Sequence, residues 1–149
     1  MFASIPSACV HGLDSMLVDV QVDISHGFPT YTIVGLPDAA IQEAKERVRS
    51  AMKQAGFTFP DTRITVNLSP GDRHKEGAGF DLPMAIAIAI ASKSIEPKVT
   101  LPLCIGELSL DGTVLPVSGV LSIVIFAKQL GYEAIIVPKG NAKEAALVP

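Results

Sequence analysis

The chain has 149 residues, 48% of them apolar, and no low-complexity tract, which is enough for one domain with a sizeable core and excludes a disordered segment. A net charge of −3 excludes a domain that is basic all over, and the purest apolar run, 82–91, is too short to cross a bilayer. The two cysteines, Cys9 and Cys104, make neither a disulfide framework nor a zinc site, and no basic flank precedes an apolar run at the start. The expectation is a cytoplasmic protein without a membrane partner.

In chain order, Met16, Val18, Val20, Val22 and Ile24 alternate with Asp19, Gln21 and Asp23, which predicts a half-buried strand over 16–24. The cluster Ser25-His26-Gly27-Phe28-Pro29 predicts a turn, and 30–34 a strand returning beside the first. Asp38 is placed to cap a helix to about Gln54, with Ile41, Ala44, Val48, Ala51 and Met52 as its buried stripe. Residues 63–68 read as the next strand. Asp81 is expected to cap a second, buried helix with Pro83 in its first turn. Residues 105–110 and 113–117 predict a hairpin about Asp111-Gly112. A helix over 120–130, apolar on most faces, should be deeply packed, followed by a strand over 134–137. A last helix capped by Asn141 should run to Pro149. No repeat, linker or domain boundary is visible, so the reading is one α/β domain with a mixed sheet over 1–149.

Charge is uneven along the chain. The window 43–75 carries seven Lys/Arg against four acids, and the remainder five against eleven. Within it, Lys45, Arg49 and Lys53 lie four apart on one helix face. The loop after residue 68 adds Arg73-His74-Lys75, just ahead of a helix start. All six are candidate contacts to phosphate or nucleic acid, because cations near a helix N-terminus reinforce anion binding. The competing reading is a solvated surface whose charges pair locally, Glu43 with Arg47 and Glu46 with Arg49. No phosphate-binding loop and no dinucleotide fingerprint occur, and His11, His26 and His74 lack metal-ligand spacing. No metal site and no cofactor are expected in this chain.

Several ordered blocks carry a family resemblance: Val34-Gly35-Leu36-Pro37-Asp38, Glu46-Arg47-Val48-Arg49, the strand 63–68, Lys75-Glu76-Gly77, Phe80-Asp81-Leu82-Pro83 and the run 106–112. The chain resembles the N-terminal domain of the ComM/YifB family of magnesium chelatase-like proteins. The resemblance implies a fold similar to the Lon protease domain, of the ribosomal protein S5 domain 2-like class. It also implies an AAA+ ATPase module, absent from this chain, to which ATP and Mg would belong. Implied partners are that module, neighbouring subunits of a hexamer, and duplex or branched DNA. The implied role is in a DNA helicase acting in branch migration during natural transformation.

The same resemblance lets peptidase chemistry be tested. Lon-type proteases use a serine nucleophile and a lysine base; aligning on Lys75-Glu76-Gly77 and Met84 puts Gly79 at the serine position. Aligning on Gly106-Glu107 and Pro116 puts Leu121 at the lysine position. Glycine offers no nucleophile and leucine accepts no proton, so no catalytic residue is assigned. Ser69, Ser118 and Ser122 remain as substitutes for a relocated dyad. The expected function is therefore a non-catalytic domain assisting ring assembly or DNA guidance. The alternatives are a Lon-like peptidase with a relocated dyad and a structural protein-interaction module.

Overall fold

The computed structural model describes residues 1–98 and 100–148. Its centre is a four-stranded sheet. Strand β1 (Phe2–His11) pairs antiparallel with β2 (Asp14–Ser25), β2 with β4 (Arg63–Ser69), and β4 runs parallel to β3 (Thr30–Val34), giving the order β1-β2-β4-β3. The alternation in β2 does what the pattern predicts, burying Met16, Val18, Val20, Val22 and Ile24 on one face. Strand β1 has no counterpart in the sequence reading. Its buried positions include Ala3, Ser7 and Cys9, a muted pattern, and Pro6 is tolerated because β1 is an edge strand.

The expectation that 30–34 returns beside the first strand is corrected. β4 lies between them, and β3 reaches β4 through a helical crossover. Burial explains the choice: Ile64, Val66 and Leu68 of β4 are all buried, whereas β3 buries Ile33 alone, so β4 takes the central place. Each such side chain contributes roughly 1.5–3 kcal/mol when fully buried.

Helix α1 (Ala39–Gln54) is that crossover, and it starts where Asp38 accepts the Ile41 N–H at 2.8 Å. Its stripe Ile41, Ala44, Val48, Ala51 and Met52 joins the main core. Helix α2 (Asp81–Ala91) packs on β1, β2 and α1, burying Met84, Ala87, Ile88 and Ala91. Alanine between the isoleucines lets it approach the sheet closely while keeping helix propensity. Asp81 is not its cap; the N-cap is Phe80, without a side-chain bond, and Asp81 turns inward instead.

The rest of the chain builds a smaller core from Ala8, Leu103, Ile105, Val120, Ile123, Val124 and Ala127. Two residues of β5 (Leu103–Cys104) run parallel to β8 (Ile135–Ile136), and the hairpin shrinks to β6 (Glu107–Leu108) with β7 (Val114–Leu115). Helix α3 (Val120–Gln129) buries one stripe and leaves Leu121 and Ile125 exposed, so it is less deeply packed than its composition suggests. The chain then forms a 3-10 turn (Lys139–Asn141) and the short α4 (Ala142–Ala145). Asn141 does not cap with its side chain; it bonds the N–H and C=O of Val117 at 2.9 and 3.0 Å. The expected end of this helix at Pro149 lies outside the described residues.

Candidate functional site

The loop after β4 meets the segment between β3 and α1, and their backbones are joined from both sides. The Lys75 N–H bonds Leu36 O and the Asp38 N–H bonds Lys75 O, each at 3.1 Å. Gly35 makes the close approach possible. It has φ 105°, and a Cβ there would stand 2.3 Å from Leu68 O. Its carbonyl accepts the Lys75 ammonium at 2.7 Å, and the Pro70 carbonyl accepts the same ammonium. Asp38 completes the join: one oxygen caps α1 and the other accepts the Gly77 N–H at 3.0 Å.

Lys75 therefore departs from its expected role. It is 0% exposed, and its charge faces two carbonyls rather than solvent. Burial pulls its ammonium below the usual lysine range, against the pull of Asp72. As placed, it cannot reach a phosphate outside the protein. Arg73 and His74 are exposed beside it.

Further along α1, the Arg47 guanidinium grips Asp81 through Nε at 2.6 Å and Nη2 at 3.1 Å. Nη2 also donates to Ala40 O, and the Leu108 N–H donates to Asp81 Oδ2 at 3.0 Å. This bidentate pair ties α1, α2 and the β6 hairpin together. Burial lifts the Asp81 carboxyl above the usual carboxylate range, and the bonds from Arg47 and Leu108 pull it back. The expected pairs Glu43–Arg47 and Glu46–Arg49 are present at 3.5 and 3.6 Å, but Asp81 is the closer partner of Arg47. Across the sheet, the Asn67 side-chain amide donates to Gln21 Oε1 at 2.8 Å.

A cleft of about 660 Å³ opens beside this junction, lined among others by Cys9, Asp38, Glu76, Gly79, Glu107 and Ser118. Gly79, the position that the resemblance aligns with the serine, lines its wall. Leu121 does not line it; it lies on α3, 37% exposed, its N–H held by Glu144 at 2.9 Å. Ser69 ends β4 and Ser122 sits on α3, so of the three serines only Ser118 reaches the cleft. No Lys, Arg or His is among the described residues lining it. Burial pushes the Cys9 thiol up, away from thiolate. The described residues also hold no group of His, Cys, Asp and Glu suited to a metal ion. The cleft thus holds a thiol (Cys9), a hydroxyl (Ser118) and three carboxylates (Asp38, Glu76, Glu107), without the lysine base of a Lon-type dyad among its described lining residues.

The helix stripe stands elsewhere. Lys45 and Arg49 are half-buried and Lys53 is exposed on α1. Arg49 and Lys53 lie near Thr62 and Ile64 at the start of β4, whereas Arg73 and His74 follow its end. Seven strand residues separate the two groups, roughly 20 Å by strand rise. The structure thus does not bring the candidate cations together into one patch. Also, no helix is long and apolar enough to cross a membrane among the described residues.

The comparisons bear on what this arrangement is. The family model described as subunit ChlI of Mg-chelatase matches residues 20–141. The chain is 44% identical over 138 residues to the competence protein ComM of Haemophilus influenzae, and 41% identical over 138 residues to the uncharacterized protein YifB of Escherichia coli. Each alignment covers 92% of this chain and 27% of the relative. A Lon protease of Methanosarcina barkeri is 34% identical over 113 residues, covering 74% of this chain and 14% of that protein. The chain thus spans little more than a quarter of the length of the first two relatives, and its mixed α/β fold is Lon-domain-like. On the match over 20–141, the chain belongs to the ChlI family of magnesium chelatase-like proteins.

Proposed function

We propose that this chain is a non-catalytic accessory domain that works with an AAA+ ATPase module in DNA processing, positioning subunits of a hexameric ring or guiding duplex or branched DNA. The observation that carries the reading is the cleft. Gly79, which has no side chain, lines its wall, and no Lys or His is among its described lining residues, which supports a domain without Lon-type catalysis. The similarity to a competence protein supports a role in DNA handling, with branch migration as its finer form. ATP and Mg would be held by the AAA+ module and not by this domain. A cytoplasmic location suits that role.

Binding of the chain to duplex and branched DNA, followed across salt concentrations, tests the DNA part. The expected result is measurable affinity at low salt that falls steeply as salt rises. No binding at low salt removes DNA guidance and leaves ring assembly, which sedimentation of the chain with its AAA+ module then tests. The Lon relationship keeps a peptidase reading in view, and Ser118 is the hydroxyl that would serve it. A fluorophosphonate probe should leave the chain unlabelled; labelling abolished by Ser118→Ala would replace the proposal with a relocated active site.

A further inference from the structure

At the opposite end of β4 from the junction, a hollow of about 440 Å³ lies between the second half of α1, the start of β3 and the segment 59–62. Its walls include Tyr31, Arg49, Lys53, Phe59, Asp61 and Thr62. Tyr31 and Phe59 stack with ring centroids 5.6 Å apart. The Arg49 guanidinium carbon stands 5.4 Å from the Phe59 centroid and 5.8 Å from that of Tyr31. The guanidinium carbon thus lies over the faces of two rings. Glu46 touches Nη1 at 3.6 Å, and among the described residues Nε and Nη2 have no partner. Lys53, one turn on, makes no ion pair among the described residues. The Thr62 hydroxyl is shut from solvent without a hydrogen-bond partner. The exposed Asp61 is the hollow's own counter-charge.

We propose that this hollow is a phosphate-binding site in which Arg49 and Lys53 hold the anion, and that the phosphate belongs to a nucleic-acid backbone. The free edge of Arg49 is a fork that matches two oxygens of a phosphate, and Lys53 adds a mobile point charge from the same helix face. Arg49, Lys53 and the segment 59–62 fall in the window 43–75, which carries seven Lys/Arg against four acids, and Arg63 stands exposed next to Thr62. Phe28, 88% exposed on the turn leading into Pro29, which is itself part of the hollow's wall, adds apolar surface next to the site. The identity of the phosphate's source rests on the DNA reading above; the site itself does not.

The test titrates the labelled chain with inorganic phosphate and, separately, with a 20-base-pair duplex (about two helical turns), following backbone amides by NMR and affinity against salt. The expected result is that both probes shift amides of Tyr31, Arg49, Lys53 and Thr62. Arg49→Gln with Lys53→Gln should weaken duplex binding about tenfold or more and reduce the salt slope by about 2. Lys53→Gln alone, at an exposed residue, should weaken it several-fold with the fold intact. Duplex binding that survives both substitutions, or is lost in Arg73→Gln/His74→Gln instead, overturns the site and leaves the DNA reading standing. Phosphate shifts without duplex binding keep the site, assign it to a small phosphorylated molecule, and overturn the DNA reading. No response to either probe overturns both.

Discussion

At the end of β4, Lys75 lies wholly out of solvent with its ammonium on the carbonyls of Gly35 and Pro70, whereas on α1, near the start of β4, Lys53 stands in solvent without an ion pair among the described residues. The same contrast separates the two arginines of α1. Arg47 is locked onto the buried Asp81, and Arg49 lies across two rings with one edge of its fork open. Charges at the junction close the fold, and charges beside α1 remain available. The difference teaches that residues grouped in a polar loop need not be the ones that meet a ligand. The Arg73-His74-Lys75 loop looks like a contact in sequence, yet the lysine at its heart is structural.

The strongest way to break the comparison is at the Arg47–Asp81 pair. Asp81→Asn leaves a guanidinium facing an amide inside the protein and should cost about 3–5 kcal/mol in urea unfolding. The pair of substitutions Arg47→Met and Asp81→Leu should recover most of that loss, since apolar groups of similar size need no counter-charge. Gly35→Ala comes next. Strain at positive φ and overlap with the Leu68 carbonyl should together cost about 2–4 kcal/mol. Lys75→Met should cost about 1–3 kcal/mol, because the Gly35 and Pro70 carbonyls lose their donor. Lys53→Gln is the smallest, within about 0.5 kcal/mol, as expected for an exposed side chain that closes nothing. A stability loss at Lys53 equal to that at Lys75 would erase the distinction between the two ends.

Much of the fold is legible because it rests on local pattern. The strict alternation of β2, the Asp38 cap and the buried stripe of α1 are short-range signals, and each appears where it should. What the pattern hides is long-range. Arg47 and Asp81 are 34 positions apart, so a carboxylate ahead of an apolar run reads as a cap although its partner waits on another helix. The parallel pairing of β3 with β4 is hidden for the same reason: a turn of five residues suits a hairpin, and only the deeper burial of β4 decides otherwise. Lys75 is misread because a lysine between His74 and Glu76 looks solvated, and nothing nearby in sequence announces the Gly35 carbonyl. The hollow beside α1 was half visible. Arg49 and Lys53 share a helix face by spacing alone, but Tyr31, Phe59 and Thr62 join them only through the sheet.

The most direct measurement of the contrast between the two ends is competitive amine labelling of the native chain, read lysine by lysine by mass spectrometry. Lys53 should react at the rate of an exposed amine, and Lys75 should react only after unfolding. Comparable labelling of Lys75 in the folded protein would contradict the account, because its ammonium would then be free at the surface and the loop would regain its claim to the ligand.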